Sequence, residues 1–301
     1  MAFTAKDVAA LREKTGCGMM DCKRALTEAD GDEARAIELL REKGLAAAEK
    51  KAGRIAAEGV VTTYVDTAKK VGVIIEVNSE TDFVAKNEKF MEFVMGAAKA
   101  VADYNPADVE ALLACKFGDS EFTVAQTLTD KILTIGENMN IRRFERLEGF
   151  CGSYVHGGGT DAALILIDAP EFTDAVAEMG KNVGMQIVAM TPAYLSEAEV
   201  PASVVEEEKQ ILLAQIKNDP KTANKPDAVI EKMVSGKINK YYKENCLLKQ
   251  EYVKDTNMTV EQYVKSVGAD ISILKFINYK KGEGLQKRED NFAEEVANMT
   301  K

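Results

Sequence analysis

The sequence predicts an α+β protein of several modules, and three observations point there. Between Glu58 and Asn78 apolar residues alternate with a period of two, the mark of strands with a buried face. Ninety residues on, the pattern returns in Glu148 to Asp168. Before Arg54 and after Pro201 the apolar residues recur every three or four positions instead, the mark of helices. At about 150 residues per domain, 301 residues suffice for two domains with small modules appended.

The first elements are three short helices. Thr4 and Asp7 form a capping-box arrangement that opens the first, and Gly16 closes it. Met19, Cys22 and Leu26 keep helical spacing up to the turn Asp30-Gly31. Asp32 caps a third helix that carries Ala34, Ile37 and Leu40 and is expected to end at Gly44, after which Ala46 to Arg54 reads as a solvated helical linker. Two strands follow, Val60 to Val65 and Val71 to Val77, as hairpin partners. A helix then starts at Asn87, with Phe90, Phe93, Val94, Ala97 and Ala98 on one face. EGVVTTYVDTAKKVGVIIEVN (Glu58 to Asn78) aligns without a gap on EGFCGSYVHGGGTDAALILID (Glu148 to Asp168), with Glu58/Glu148, Gly59/Gly149, Tyr64/Tyr154, Val65/Val155 and Ile75/Ile165 identical. The second copy is also followed by a helix, from Thr173, so the core is a duplicated unit of hairpin plus helix with antiparallel sheets.

Helices Ser203 to Lys217 and Asp227 to Tyr242 flank the turn Asn218 to Pro226. Their narrow apolar stripe (Val204, Ile211, Leu212; Ile230, Met233, Val234, Ile238) suits a protruding antiparallel helical hairpin. A strand from Ile271 to Tyr279 returns to the second copy, and a last helix from about Gln286 to Met299 places Phe292, Val296 and Met299 on one face.

Composition excludes several function classes. Forty-nine acidic residues against 39 Lys and Arg give a net charge of −10, whose field repels phosphate backbones and anionic lipid, so no direct nucleic-acid partner is expected. The longest apolar stretches, Val71 to Val77 and Ala162 to Ile167, are strand length, so no membrane span is expected. The opening MAFTAKDVAALREKTG has no apolar signal region, which points to a cytoplasmic protein. Five scattered cysteines fit reduced thiols, and Cys17 and Cys22 have no second cysteine pair and one histidine in the chain to complete a zinc site. Neither a metal nor a cofactor is expected.

Activated groups for catalysis are few. A Ser/His/Asp triad would need His156, yet the nearest serine, Ser153, points to the other face of the same strand, which leaves His156 as a binding or structural residue. Gly16-Cys17-Gly18-Met19-Met20-Asp21 lacks the last glycine of a dinucleotide fingerprint and follows a helix. Gly157-Gly158-Gly159 reads more simply as a hairpin turn than as a phosphate cradle, no GxxxxGK[ST] occurs, and Glu206 to Glu208 form a solvated face. One segment departs from ordinary patterning: Thr81-Asp82-Phe83-Val84-Ala85-Lys86-Asn87 connects a strand to a helix. Phe83 is either a staple that closes the core, with Thr81 or Asp82 as N-cap, or an exposed wedge; composition alone favours the staple.

LREKTGCGMMDCKRAL (Leu11 to Leu26), SETDFVAKN (Ser79 to Asn87), IGENMNIRR (Ile135 to Arg143), GSYVHGGG (Gly152 to Gly159) and FAEEVANM (Phe292 to Met299) resemble, in order and over nearly the whole chain, the bacterial translation elongation factor Ts family. Its members are guanine-nucleotide exchange factors of elongation factor Tu. The resemblance implies a domain similar to ubiquitin-associated (UBA-like) domains with a linker helix at 1–55. It implies core subdomains at 56–147 and at 148–200 with 246–283, a dimerisation hairpin at 201–245, and a C-terminal helical module at 284–301. It also implies a protein that speeds nucleotide exchange without covalent chemistry of its own.

By the same resemblance Thr81, Asp82, Phe83 and Val84 form a segment that dislodges the partner's magnesium ion, Phe83 inserting between helices of the GTPase domain. Arg12, Met19, Met20, Lys23, Ile135 and Gly136 contact that domain, and His156 meets another domain of the partner. From the residues alone, Met19 is core or contact, and Arg12 and Lys23 are contacts or solvated charges. Two other classes make different expectations. A binding adaptor would carry its activity in Thr4 to Lys50, and a small-molecule enzyme would depend on His156.

Overall fold

The computed structural model describes residues 3–15, 17–222 and 225–286. Helices α1 (Ala5–Thr15), α2 (Met19–Glu28) and α3 (Glu33–Lys51) enclose a small core of Val8, Leu11, Cys22, Ala25, Leu26, Ala36 and Leu40. The Thr4 backbone N–H and hydroxyl both donate to the Asp7 carboxylate, at 2.6 and 2.8 Å. Asp30 and Gly31 turn the chain at φ 50° and 87°, and the Asp32 side chain accepts from the Arg35 N–H to cap α3. Gly16, expected to close α1, lies outside the described residues.

Strands β1 (Glu58–Asp66) and β2 (Val71–Ser79) form the first hairpin, followed by α4 (Glu88–Tyr104), α5 (Val109–Ala114), α6 (Val124–Ile135) and β3 (Met139–Glu148). The antiparallel order is β1-β2-β3. The second unit has β4 (Phe150–His156), β5 (Asp161–Asp168) and α7 (Asp174–Met190). Then come α8 (Ala202–Asn218), α9 (Asp227–Asn245), the short pair β6 (Glu251–Tyr252) and β7 (Asp255–Thr259), α10 (Val260–Val267) and β8 (Ser272–Lys280), which completes the antiparallel sheet β4-β5-β8. The fold is α+β with small antiparallel sheets.

The duplication extends to backbone detail. Gly59 and Gly149, matched in the alignment, both have positive φ, at 105° and 134°. The β2·β3 ladder slips between Glu76 and Val77, and the β5·β8 ladder slips between the matching residues Leu166 and Ile167. Helices α4 and α7 each run 17 residues from a side-chain cap, Asn87 or Thr173, to a left-handed residue, Asn105 or Thr191.

Packing follows from alternation. Along β1, Val60 faces a core with Phe90, Phe93, Val94 and Ala97 of α4, while Val61 faces the other sheet with Ile74, Cys151, Leu164 and Tyr279. The two sheets therefore lie back to back, with α4 over one and α7 over the other. Helices α8 and α9 pack on each other through Leu212, Ile216, Ile230, Val234 and Ile238.

Four expectations need correction. Helix α3 does not stop at Gly44. A Cβ there would come within 3.3 Å of the Thr129 methyl of α6, so this glycine permits close packing of two helices rather than ending one, and the supposed solvated linker packs on the core through Ala48. Ala34 is exposed and Ala36 fills its place, because the buried stripe of α3 is Ala36, Leu40 and Gly44 at i, i+4 and i+8. On α8, Ile211 is exposed and Ile216 joins the apolar stripe instead. Of the helix expected from about Gln286 to Met299, residues 287–299 lie outside the described residues.

Candidate functional site

The segment between β2 and α4 is held at both ends and free in the middle. At its start, the Glu137 carboxylate accepts from the Thr81 N–H at 2.9 Å and from the Thr81 hydroxyl at 2.6 Å. The Ser79 hydroxyl donates to the Thr81 carbonyl at 2.9 Å. One residue back, Glu80 accepts from the Asn138 N–H at 2.6 Å and from Arg54 at 3.4 Å, and the Asn138 amide donates to the Arg54 carbonyl at 2.9 Å. Burial, followed by the nearby Arg54 charge, pulls the Lys51 ammonium below its ordinary value against the opposing pull of Glu80 and Glu137.

At its far end, Val84 is buried with the α4 core and opens a single 3-10 turn to Lys86. Asn87 then caps α4, accepting from the Lys89 and Phe90 N–H groups at 2.9 and 3.4 Å. Between these anchors Phe83 is 77% exposed, more than any other large apolar residue described as exposed. The staple reading is thereby corrected. Val84 plugs the core, Asn87 rather than Thr81 or Asp82 is the N-cap, and the Phe83 ring points to solvent.

The other residues singled out in the sequence fall into three places. Ile135 and Gly136 end α6, Gly136 at φ 91°, directly before Glu137, whose hydrogen bonds hold the end of α6 against the Thr81 loop. Arg12 and Met19 line a shallow depression of about 370 Å³ with Ala9, Glu13 and Lys89, which sets the first three helices beside the start of α4. Met19 and Met20 are 42% and 62% exposed, so neither is core, and Lys23 is exposed on the same helix. Leu133 of α6 packs against the three-helix core, so α6 bridges the two groups.

His156 stands apart. It ends β4 and is exposed, with its Nδ1 at 3.0 Å from the Tyr154 hydroxyl, and the turn Gly157 to Gly159 follows at φ 55°, 68° and 104°. That turn sits on β1, where the Val61 N–H donates to the Gly159 carbonyl at 2.9 Å. Among the described residues no hydrogen bond ties His156 to the Phe83 loop. Nor, among them, is any group of three or more His, Cys, Asp or Glu placed to hold a metal ion, and no helix is long and apolar enough to cross a membrane.

Sequence reasoning missed the residues that present Phe83: Glu80, Glu137, Asn138 and Asn87. The signal available was Glu137-Asn138 directly behind the helix-ending Gly136, where a side chain is free to cap a neighbouring loop.

An exposed ring on a pinned loop is a geometry for entering a partner, and the comparisons with known proteins say which proteins share this chain's pattern. The family model described as "Elongation factor TS" matches residues 80–283, from Glu80 through the whole loop to Glu283. "Elongation factor Ts" of Clostridium perfringens (strain SM101 / Type A) is 50% identical over 304 residues, covering 99% of each chain. "Elongation factor Ts" of Clostridium novyi (strain NT) is 48% identical over 301 residues, covering 97% of each. "Elongation factor Ts" of Clostridium kluyveri (strain NBRC 12016) is 48% identical over 302 residues, covering 98% of this chain and 97% of that one. Identity at this level along essentially full length places the chain in translation elongation: it belongs to the elongation factor Ts family.

Proposed function

We propose that the chain is a guanine-nucleotide exchange factor for elongation factor Tu, acting in the cytoplasm, with Thr81, Asp82, Phe83 and Val84 as the segment that displaces the partner's magnesium ion. The observation that carries this is the exposed Phe83 ring on a loop fixed by Glu137 on one side and buried Val84 on the other. Burying such a ring in a partner contributes about 1.5–3 kcal/mol. Spent on a conformation of the partner that GDP binds poorly, this energy becomes exchange activity.

Linkage fixes the rest. If the chain binds nucleotide-free partner more tightly than GDP-bound partner by some factor, GDP binds the complex more weakly by that same factor, each tenfold being about 1.4 kcal/mol. Asp82, exposed beside Phe83, brings a negative charge to the partner's magnesium shell. Loss of the ion removes the charge that neutralises the nucleotide's β-phosphate, and GDP leaves faster. The chain itself supplies contact and charge and forms no covalent bond.

Arg12, Met19, Met20 and Lys23 extend the contact to the GTPase domain. Met19 and Met20 are exposed, adaptable apolar side chains, and Arg12 and Lys23 offer positive charge on an otherwise acidic molecule. Ile135 and Gly136 add the end of α6, and His156 meets a second partner domain. On the same reading residues 1–55 are a UBA-like domain, 201–245 are a hairpin through which two copies dimerise, and 284–301 are a C-terminal helical module.

The test is release of fluorescent GDP from elongation factor Tu on addition of the chain. Release accelerated in proportion to the chain's concentration supports exchange. Release at the partner's intrinsic rate contradicts it and returns the adaptor and small-molecule readings.

A further inference from the structure

We propose that Glu137 is the positioning residue that locks the two contact segments, Asp82-Phe83 and Ile135-Gly136, into one rigid unit; this inference rests on the exchange reading above. A ring as exposed as Phe83 has no packing of its own to fix it, so whatever order it has comes from its neighbours. Those neighbours form a crossed pair. Glu137, from the loop after α6, accepts both donors of Thr81, and Glu80, from the loop after β2, accepts the Asn138 N–H. Each acid thus caps the other's backbone.

The consequence lies in what remains free. The Thr81 N–H, hydroxyl and carbonyl are all hydrogen-bonded, and beyond Phe83 the chain is fixed again by buried Val84 and by the Lys86 N–H donating to the Phe83 carbonyl at 3.1 Å. Only Asp82 and Phe83 lie between the fixed points. Because Gly136 turns at φ 91°, the residue after it folds back onto the Thr81 loop, so one carboxylate sets the distance between the end of α6 and the Phe83 ring. Pre-organisation of this kind lowers the ordering cost at the moment the ring enters its partner.

The experiment uses the full chain as wild type, E137A, E137Q, F83A and the F83A/E137A double variant, measuring fluorescent GDP release from elongation factor Tu. E137A is expected to lower the maximal exchange rate about tenfold, equivalent to about 1.4 kcal/mol, with the half-saturating concentration unchanged because Arg12, Met19 and Met20 remain. E137Q keeps an acceptor for the Thr81 N–H and a donor for its hydroxyl, and is expected within about threefold of wild type. The double variant is expected to lose less than the product of the two single losses, since Glu137 acts through Phe83 and its neighbour Asp82. Equal rates for E137A and wild type, or losses that multiply in the double variant, would overturn the assignment.

A second readout separates this inference from the exchange reading. The Thr81 amide is expected to lose hydrogen-exchange protection in E137A and keep it in E137Q. If wild type itself fails to release GDP, the exchange reading falls and amide protection alone decides the positioning role, unchanged protection in E137A overturning it. If E137A does not fold, T81V, which removes only the hydroxyl donor, takes its place, and an exchange rate equal to wild type overturns the proposal.

Discussion

Glu76→Gln is expected to destabilise the core by about 3 kcal/mol at neutral pH, and the size follows from the surroundings of one carboxylate. Glu76 lies in β2, wholly buried, where it accepts from the Gly282 N–H at 2.7 Å, Asn78 at 3.1 Å, Arg143 Nε at 2.7 Å and Arg142 at 3.1 and 3.2 Å. Breaking a buried ion pair costs about 3–5 kcal/mol, and the lower end applies here because both arginines keep part of their hydration. At 2–4 °C per kcal/mol this is roughly 6–12 °C in Tm.

The pH dependence has a definite sign. Burial, the largest single effect, pushes the Glu76 carboxyl up, but the hydrogen bonds from Gly282, Asn78, Arg143 and Arg142 together outweigh it and hold the group below its ordinary value of 4.5. A carboxyl depressed in the folded state stabilises above the unfolded-state value, and that contribution is lost as pH falls from there through the folded value. E76Q has no proton to take up, so the gap between wild type and variant narrows on acidification. Urea unfolding at pH 7 and at pH 4 measures both quantities. A variant within 0.5 kcal/mol of wild type at pH 7, or a gap that widens in acid, would refute the reasoning.

Two further outcomes are expected. Gly180→Ala destabilises by about 1–2 kcal/mol in thermal unfolding although alanine is the better helix former by nearly 1 kcal/mol, because its Cβ would meet the Gly152 Cα at 2.8 Å where α7 crosses β4; a stabilised variant would contradict that close approach. Burial pushes the Cys151 thiol up to about 11 and raises those of Cys17, Cys115 and Cys246, so a thiol reagent at pH 8 reacts slowly with the native chain, first at half-buried Cys115, and fast labelling of all five cysteines would contradict this.

Much of the fold was legible because the signal was local. The run Val71 to Val77, the helical face from Phe90 to Ala98 and the matched glycines Gly59 and Gly149 each declare their element through spacing or backbone demand. The second face of β2 was not legible: period two marks Ile74 and Glu76 as facing away from Val73 and Ile75, but says nothing of the second sheet over Ile74 or the arginines over Glu76. Helix α6 was overlooked although Thr123 and Gln126 form a full capping box before Val124, Leu128 and Ile132. Gly44 misled because a glycine for close packing and a glycine for helix ending look alike in sequence. At the site, the motif containing Phe83 was visible, whereas its exposure depends on Val84 taking the core position and on Glu137, 56 residues away, holding Thr81.

The most direct measurement compares wild type and Phe83→Ala side by side in the release of fluorescent GDP from elongation factor Tu, with stability measured on both. Because the ring is 77% exposed, truncation is expected to change stability by less than about 0.5 kcal/mol. Losing about 1.5–3 kcal/mol of ring burial in the partner slows release about 10- to 150-fold. A folded F83A variant that releases GDP as fast as wild type would contradict the role of the loop, and a wild type that releases none would contradict exchange itself.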